Sequence, residues 1–248
     1  MSRRVRTLTG LAGSLVALAA AAEPSEESPV EQQRPAALGS GRVVLVPINL
    51  AVRAVAEVEP GLEPVWRELL VYLGSVKHPV IALEREGAAA LWNEVMAEAK
   101  PETGPDDLYA AYGRFARRVA EQADFGSIVF STLVTRSARV NGRTAEWDGV
   151  RRPLEIPGRL NDSIDTFPLG KIWLTRHGAK GELGAASLHV AVLSPEGELG
   201  FQGTGGLVLL QKLVSPVDKE DLELSVVMRE EPFAAAAQLR QGIAQAFH

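Results

Sequence analysis

Five glycines stand close together in PEGELGFQGTGGLVLLQKL, residues 195–213: Gly197, Gly200, Gly203, Gly205 and Gly206. Glycine at this density could let a backbone wrap a phosphate. A P-loop, GxxxxGK[ST], needs its lysine and hydroxyl directly after the last glycine, to meet phosphate and Mg²⁺. Here Leu207 and Val208 come after Gly206, and Lys212 arrives too late. A dinucleotide fingerprint needs GxGxxG opening a helix. Gly203-Thr204-Gly205 begins one, but Val208 occupies the last glycine position and LVLL has strand character. Spacing and context assign these glycines to architecture, as bends or bulges of a strand beneath a close neighbour.

Other reactive side chains are sparse. The histidines, His78, His177, His189 and His248, form no HExxH and no pair at helical spacing, so a zinc site has no support. There is no cysteine, which removes disulfides, thiolate nucleophiles and cysteine-bound metal. Gly126-Ser127 and Ala186-Ser187 lack the flanking glycines of a nucleophile elbow. Asp162 and Asp165 resemble the start of a calcium loop without its central glycine and closing glutamate. No catalytic residue, metal ligand or cofactor is assigned. The surface candidate is the hairpin segment EWDGV, 146–150: Trp147 and Asp148, with Arg151 and Arg152 just beyond, since tryptophan and arginine are enriched at binding hot spots.

The elements that must position these residues are set by periodicity. RVVLVPI, 42–48, and HPVIALE, 78–84, read as strands. Leu62, Val65, Trp66, Leu69, Leu70 and Leu73 form one helix face, stopped by Gly74. Ala88, Leu91, Trp92, Val95, Met96 and Ala99 form a second face. A third helix starts at Pro105 and buries Leu108, Tyr112, Phe115, Ala116, Val119 and Ala123. Residues 124–150 turn β-rich, with Asn141-Gly142 as a hairpin signal. Residues 157–170 read as an irregular loop, KIWLTRH as a short strand, and SLHVAVL and ELGFQGTGGLVLLQKLV as strands joined by Ser194-Pro195-Glu196-Gly197. A last helix is expected from Pro232, with Phe233, Ala236, Ala237, Leu239 and Ile243 inward. The expected fold is mixed α/β: early β-α-β-α-α alternation, late antiparallel hairpins and a C-terminal helix, in one domain spanning 41–248.

The N-terminus gives an address. Arg3, Arg4 and Arg6 precede the uncharged stretch LTGLAGSLVALAAAA, and an acidic, polar segment comes next. This is the layout of a secretory signal, with Ala20-Ala21-Ala22 as the small-residue site and cleavage expected after Ala22. The apolar run falls short of the roughly 20 residues that span a bilayer, so no stable membrane span is expected after cleavage. Residues 23–40 read as a disordered linker. A net charge of −5 without a basic stripe argues against a nucleic-acid partner.

Four segments carry a family likeness: RVVLVPI; the helix-to-strand passage ARRVAEQADFGSIVFSTL; the hairpin VNGRTAEWDG; and LHVAVLSPEGELGFQGTGG before a C-terminal helix. Together they resemble the periplasmic α/β domain shared by the TolB N-terminal region, LpoB-type lipoproteins and CsgG-like envelope proteins. The resemblance implies protein binding and envelope assembly, and it carries over no catalytic residues. The chain departs from several such proteins in lacking a lipobox cysteine. The functional expectation is an exported, periplasmic or secreted, non-enzymatic binding or scaffold protein with a protein partner in the cell envelope. The alternatives are a secreted hydrolase whose site is assembled from separate strands, and a small-ligand-binding periplasmic protein.

Overall fold

The computed structural model describes residues 38–98, 105–156, 167–169, 172–175, 178–214 and 225–248. In chain order these form β1 (Val43–Leu45), α1 (Leu62–Ser75), β2 (Val80–Ala82), α2 (Arg85–Glu98), α3 (Pro105–Ala120), β3 (Ser127–Gly142), β4 (Thr144–Trp147) and β5 (Val150–Pro153). Next come β6 (Phe167–Leu169), β7 (Ile172–Thr175), β8 (Gly178–Leu193), β9 (Leu199–Leu209), β10 (Gln211–Val214), β11 (Ser225–Met228) and α4 (Ala236–Ala246). The class is the expected one, mixed α/β with parallel and antiparallel pairs.

β3 and β8 form the spine, an antiparallel ribbon running from Ile128 opposite Leu193 to Gly142 opposite Ala179. At the base of the ribbon the order is β2-β1-β3-β8-β9, and β1 runs parallel to both β2 and β3. At the distal end β4 and β5 flank β3, while β7 and β6 flank β8. β10 and β11 pair as a separate two-stranded sheet.

Alternation along the strands builds three cores. One base face presents Val43, Leu45, Val129, Leu133, Leu188, Val190 and Val192 to α1 and α4. The other presents Val44, Val46, Ile128, Phe130, Ala191 and Leu193 to α2 and α3, and Tyr112 stacks on Phe130 at 4.0 Å. Burying one such aromatic or aliphatic side chain is worth about 1.5–3 kcal/mol. Distally, Ala138, Val140, Ala145, Trp147, Val150, Leu183, Ala185 and Leu209 make a third cluster, because the β4–β5 hairpin curls back over that face.

The base is wound in two directions from β1: through α1 to β2 on one side, and through α2 and α3 to β3 on the other. Open α/β sheets bind ligands in the crevice at such a switch point. Here the loop after β1 runs on along β3. Asn49, at φ 59, donates its backbone N–H to Ser131 O at 3.0 Å. Its side-chain amide donates to Leu133 O at 3.2 Å and accepts from Leu133 N at 2.8 Å. Asn49 thus continues the ladder where β1 ends.

Several boundaries differ from the sequence expectation. Leu38 is buried in the core and its carbonyl accepts the Ser127 hydroxyl, so three residues read as linker belong to the fold. α1 does not stop at Gly74. It ends with His78 N–H to Leu73 O and Lys77 N–H to Gly74 O, a Schellman closure in which Lys77 takes the left-handed position at φ 59. The first hairpin turn is shifted by one residue: Asn141 still pairs with Thr144, and Gly142 at φ 64 takes the first central place, as a type II′ turn requires. The C-terminal helix starts at Ala236 rather than Pro232, and Ala237 faces solvent. Segment 23–37, the greater part of the 157–170 loop, and His177 lie outside the described residues. Among the described residues no helix is long and apolar enough to cross a membrane.

Candidate functional site

The glycine run lies in β9, directly beneath α4. A Cβ on Gly203 or Gly205 would meet the backbone of Ala246 or Gly242, and one on Gly242 would meet the Gly206 carbonyl. On the other face, a Cβ on Gly206 would sit 2.8 Å from the Trp147 indole nitrogen. The ladder with β8 also slips at two places, near Gly206 and near Gly200. Helix, strand and hairpin approach so closely that only glycine fits, and no phosphate cradle is present in β9. In the turn 194–197, Gly197 takes φ 81 behind Pro195-Glu196, which matches a type I turn closed by a glycine bulge.

Of the four hairpin residues expected to form a binding patch, Trp147, Asp148 and Arg152 are engaged by the fold. Asp148 and Gly149 occupy the β4–β5 turn at φ 36 and 76, the two positive angles of a type I′ turn. Trp147 is only 6% exposed and its indole N–H donates to Ala186 O at 3.2 Å, so its ring is core and not a surface anchor. Gly206 N–H donates to Asp148 O at 3.2 Å, which ties the hairpin tip to the outer edge of β9. Asp148 Oδ2 accepts from Arg136 Nε at 3.1 Å. Arg152 reaches α4, donating to Gln241 Oε1 at 2.6 Å, and burial lowers its pKa. Arg151 alone stays on the open surface, beside Glu146 at 3.0 Å, an exposed pair worth about 0–1 kcal/mol.

A polar seam between the second and third cores was not brought together by sequence reasoning. On this face Thr132 of β3, His189 of β8 and Thr204 of β9 stand in one cross-strand row. Towards the base the row meets α3. Tyr109 OH lies 3.3 Å from His189 Nε2 and donates to Gln202 Oε1 at 2.8 Å, and Tyr112 hydrogen-bonds Thr132. Towards the distal end it meets the Arg136–Asp148 pair. His189 Nδ1 sits 3.1 Å from Thr204 Oγ1. Each ring nitrogen of His189 thus has a hydroxyl within reach, that of Tyr109 at Nε2 and that of Thr204 at Nδ1. Burial holds the His189 pKa below its usual value, helped by the charge of Arg136; a backbone contact with Gly203 acts the other way. The ring is therefore neutral at pH 7. Ser187, two residues along β8 on the same face, is wholly buried and its hydroxyl has no partner among the described residues.

This arrangement does not assemble a hydrolase triad. The neighbours of His189 are a threonine and a tyrosine, and the seam carboxylate, Asp148, is engaged by Arg136. The Ser127 hydroxyl is committed to Leu38 O. His78 is buried, with Nδ1 3.5 Å from Gly41 O. Among the described residues no three His, Cys, Asp or Glu side chains could together hold a metal ion; Asp162 and Asp165 lie outside them. The signal for the seam is present in sequence only as isolated polar residues in apolar strands: Thr132 in SIVFSTLV, His189 in SLHVAVL and Thr204 in FQGTGGLV.

On the opposite, solvent-facing side of the distal ribbon, an open groove of about 440 Å³ is lined by Arg139, Val140, Asn141, Lys180, Gly181 and Glu182. Comparison with protein-family models and with curated proteins returns no match, so the functional reading rests on geometry and on the N-terminal sequence.

Proposed function

We propose that this protein is an exported, non-enzymatic binding or scaffolding component of a bacterial cell envelope. The observation that carries the binding part is the unequal covering of the ribbon. Helices cover both faces at the base. At the distal end one face is covered by β4–β5, and the other exposes Ser137, Arg139, Asn141, Lys180 and Glu182, with Glu146 and Arg151 alongside. A rigid sheet face of this kind can be laid against a protein partner without refolding. Export is supported by the basic, apolar and small-residue succession of residues 1–22. The likeness to TolB-, LpoB- and CsgG-type envelope domains points the same way.

The test places a photo-crosslinking residue at Arg151 or Lys180 in living cells, with exposed Arg67 of α1 as the control. Adducts with envelope proteins from the two ribbon positions and none from position 67 are expected. Failure to crosslink at both ribbon positions would overturn the choice of surface, and a protein recovered only from the cytoplasm would overturn the address.

A further inference from the structure

We propose that the exposed face of the distal ribbon takes a second copy of this chain across a two-fold axis; this deepens the reading of that face as a docking surface and depends on it. Strand register sets Arg151 of β5, Glu146 of β4, Arg139 of β3 and Glu182 of β8 side by side in one row. All four are exposed. Their charges alternate, + − + −, over three strand spacings, roughly 14 Å. In an isologous dimer both subunits offer the same patch, so the patch must complement itself. A two-fold axis along the strands, between β4 and β3, reverses the row. Each Arg151 then faces the second copy's Glu182, and each Arg139 faces its Glu146. Reversing a single-signed row, or one reading + − − +, would set like charges together. The neighbouring row obeys the same rule: Pro153, Thr144, Asn141 and Lys180 hold one charge, and it comes opposite the proline.

Half of the row is unanswered within one chain. Glu146 and Arg151 pair at 3.0 Å. Arg139 and Glu182 stand opposite each other in the β3–β8 ladder yet form no ion pair. Glu182 accepts the Ser137 hydroxyl at 2.8 Å instead, and the Arg139 guanidinium has no polar partner among the described residues. The open groove of about 440 Å³ lies over these two side chains and Lys180. In the two-fold arrangement the second copy's Glu146 and Arg151 enter this groove. The charges then join into two four-membered networks, each running from one copy's Glu146–Arg151 pair to the other's Arg139 and Glu182. Such networks contribute where isolated exposed pairs do not. The contact is small, which places the dimer among weak, reversible ones.

The test is analytical ultracentrifugation of the purified full chain over a range of concentrations. A monomer–dimer equilibrium is expected at low salt, with a Kd on the order of 10–100 μM. At about 0.5 M NaCl it should weaken about tenfold, because the charges that hold it are open to screening. Arg139→Glu alone and Glu146→Arg alone should each lose the dimer, since each sets like charges across the axis. Mixed together, the two variants should associate again, because the row of one then complements the row of the other; that recovery also shows both to be folded. A monomer at every concentration, a dimer indifferent to salt and to both substitutions, or no recovery on mixing would overturn the proposal. A chain that sediments as a monomer while Arg151 or Lys180 crosslinks to a different envelope protein would end self-association and leave the docking surface standing; no crosslink from either position would remove the surface itself.

Discussion

His189 couples the seam to pH. Its pKa in the fold lies below the ordinary 6.5, chiefly through burial and then through Arg136. Below that value the unfolded chain takes up a proton that the folded chain resists, so the stability from keeping the ring neutral is complete above about pH 6.5 and declines as pH falls. Urea midpoints should therefore drop between about pH 7.5 and pH 5.5, and His189→Gln should flatten that part of the slope; an unchanged slope would show that the ring is not the titrating group. Trp147 is a second test at this scale. As a core residue bonded to Ala186 O, Trp147→Ala should cost about 3–5 kcal/mol of unfolding free energy, far above a surface truncation. Asn49→Ala, which strips both partners from the Leu133 backbone, should cost about 1–3 kcal/mol by the same measurement.

At the scale of elements, periodic segments are legible in the sequence and irregular ones are not. Leu62 to Leu73 announce α1 because an apolar stripe needs only local spacing. Its end is hidden because the chain closes through Lys77, a residue with no turn signature, in a conformation that costs a non-glycine side chain about 1–2 kcal/mol. Lys77→Gly should accordingly raise stability by about 1 kcal/mol in urea denaturation, and a loss would contradict the Schellman assignment. The late start of α4 has a tertiary cause. Phe233 packs where Gly61 has no side chain, and the chain must complete that contact before the helix can begin. The apolar run from Leu207 to Leu210 marks the glycines of β9 as architecture, but their neighbour cannot be named from sequence, because Gly242 lies far along the chain. Gly205→Ala should cost about 1–3 kcal/mol or more, as overpacking against the backbone of α4. β11 carries too short an alternation to stand out, and its pairing with β10 depends on the register of both.

For the whole molecule, the α/β class is legible in the alternation of elements, and the doubly wound base reflects their order. The hairpin EWDGV is correctly placed in a turn by its residues, but local composition cannot tell that Trp147 points into the third core. That depends on the curl of the ribbon, which brings the tip of β4–β5 to β9. The seam is invisible in sequence for the same reason: Tyr109 and His189 are 80 positions apart, and Thr132 and Thr204 join them only through strand register. The exposed face of the distal ribbon is the surface proposed to meet a partner. The most direct measurement is the intact mass and location of the protein made in a bacterial host with an active secretory pathway. A mature chain beginning at Glu23 in the periplasm or medium is expected; a chain still carrying Arg3, Arg4 and Arg6 and confined to the cytoplasm would contradict export.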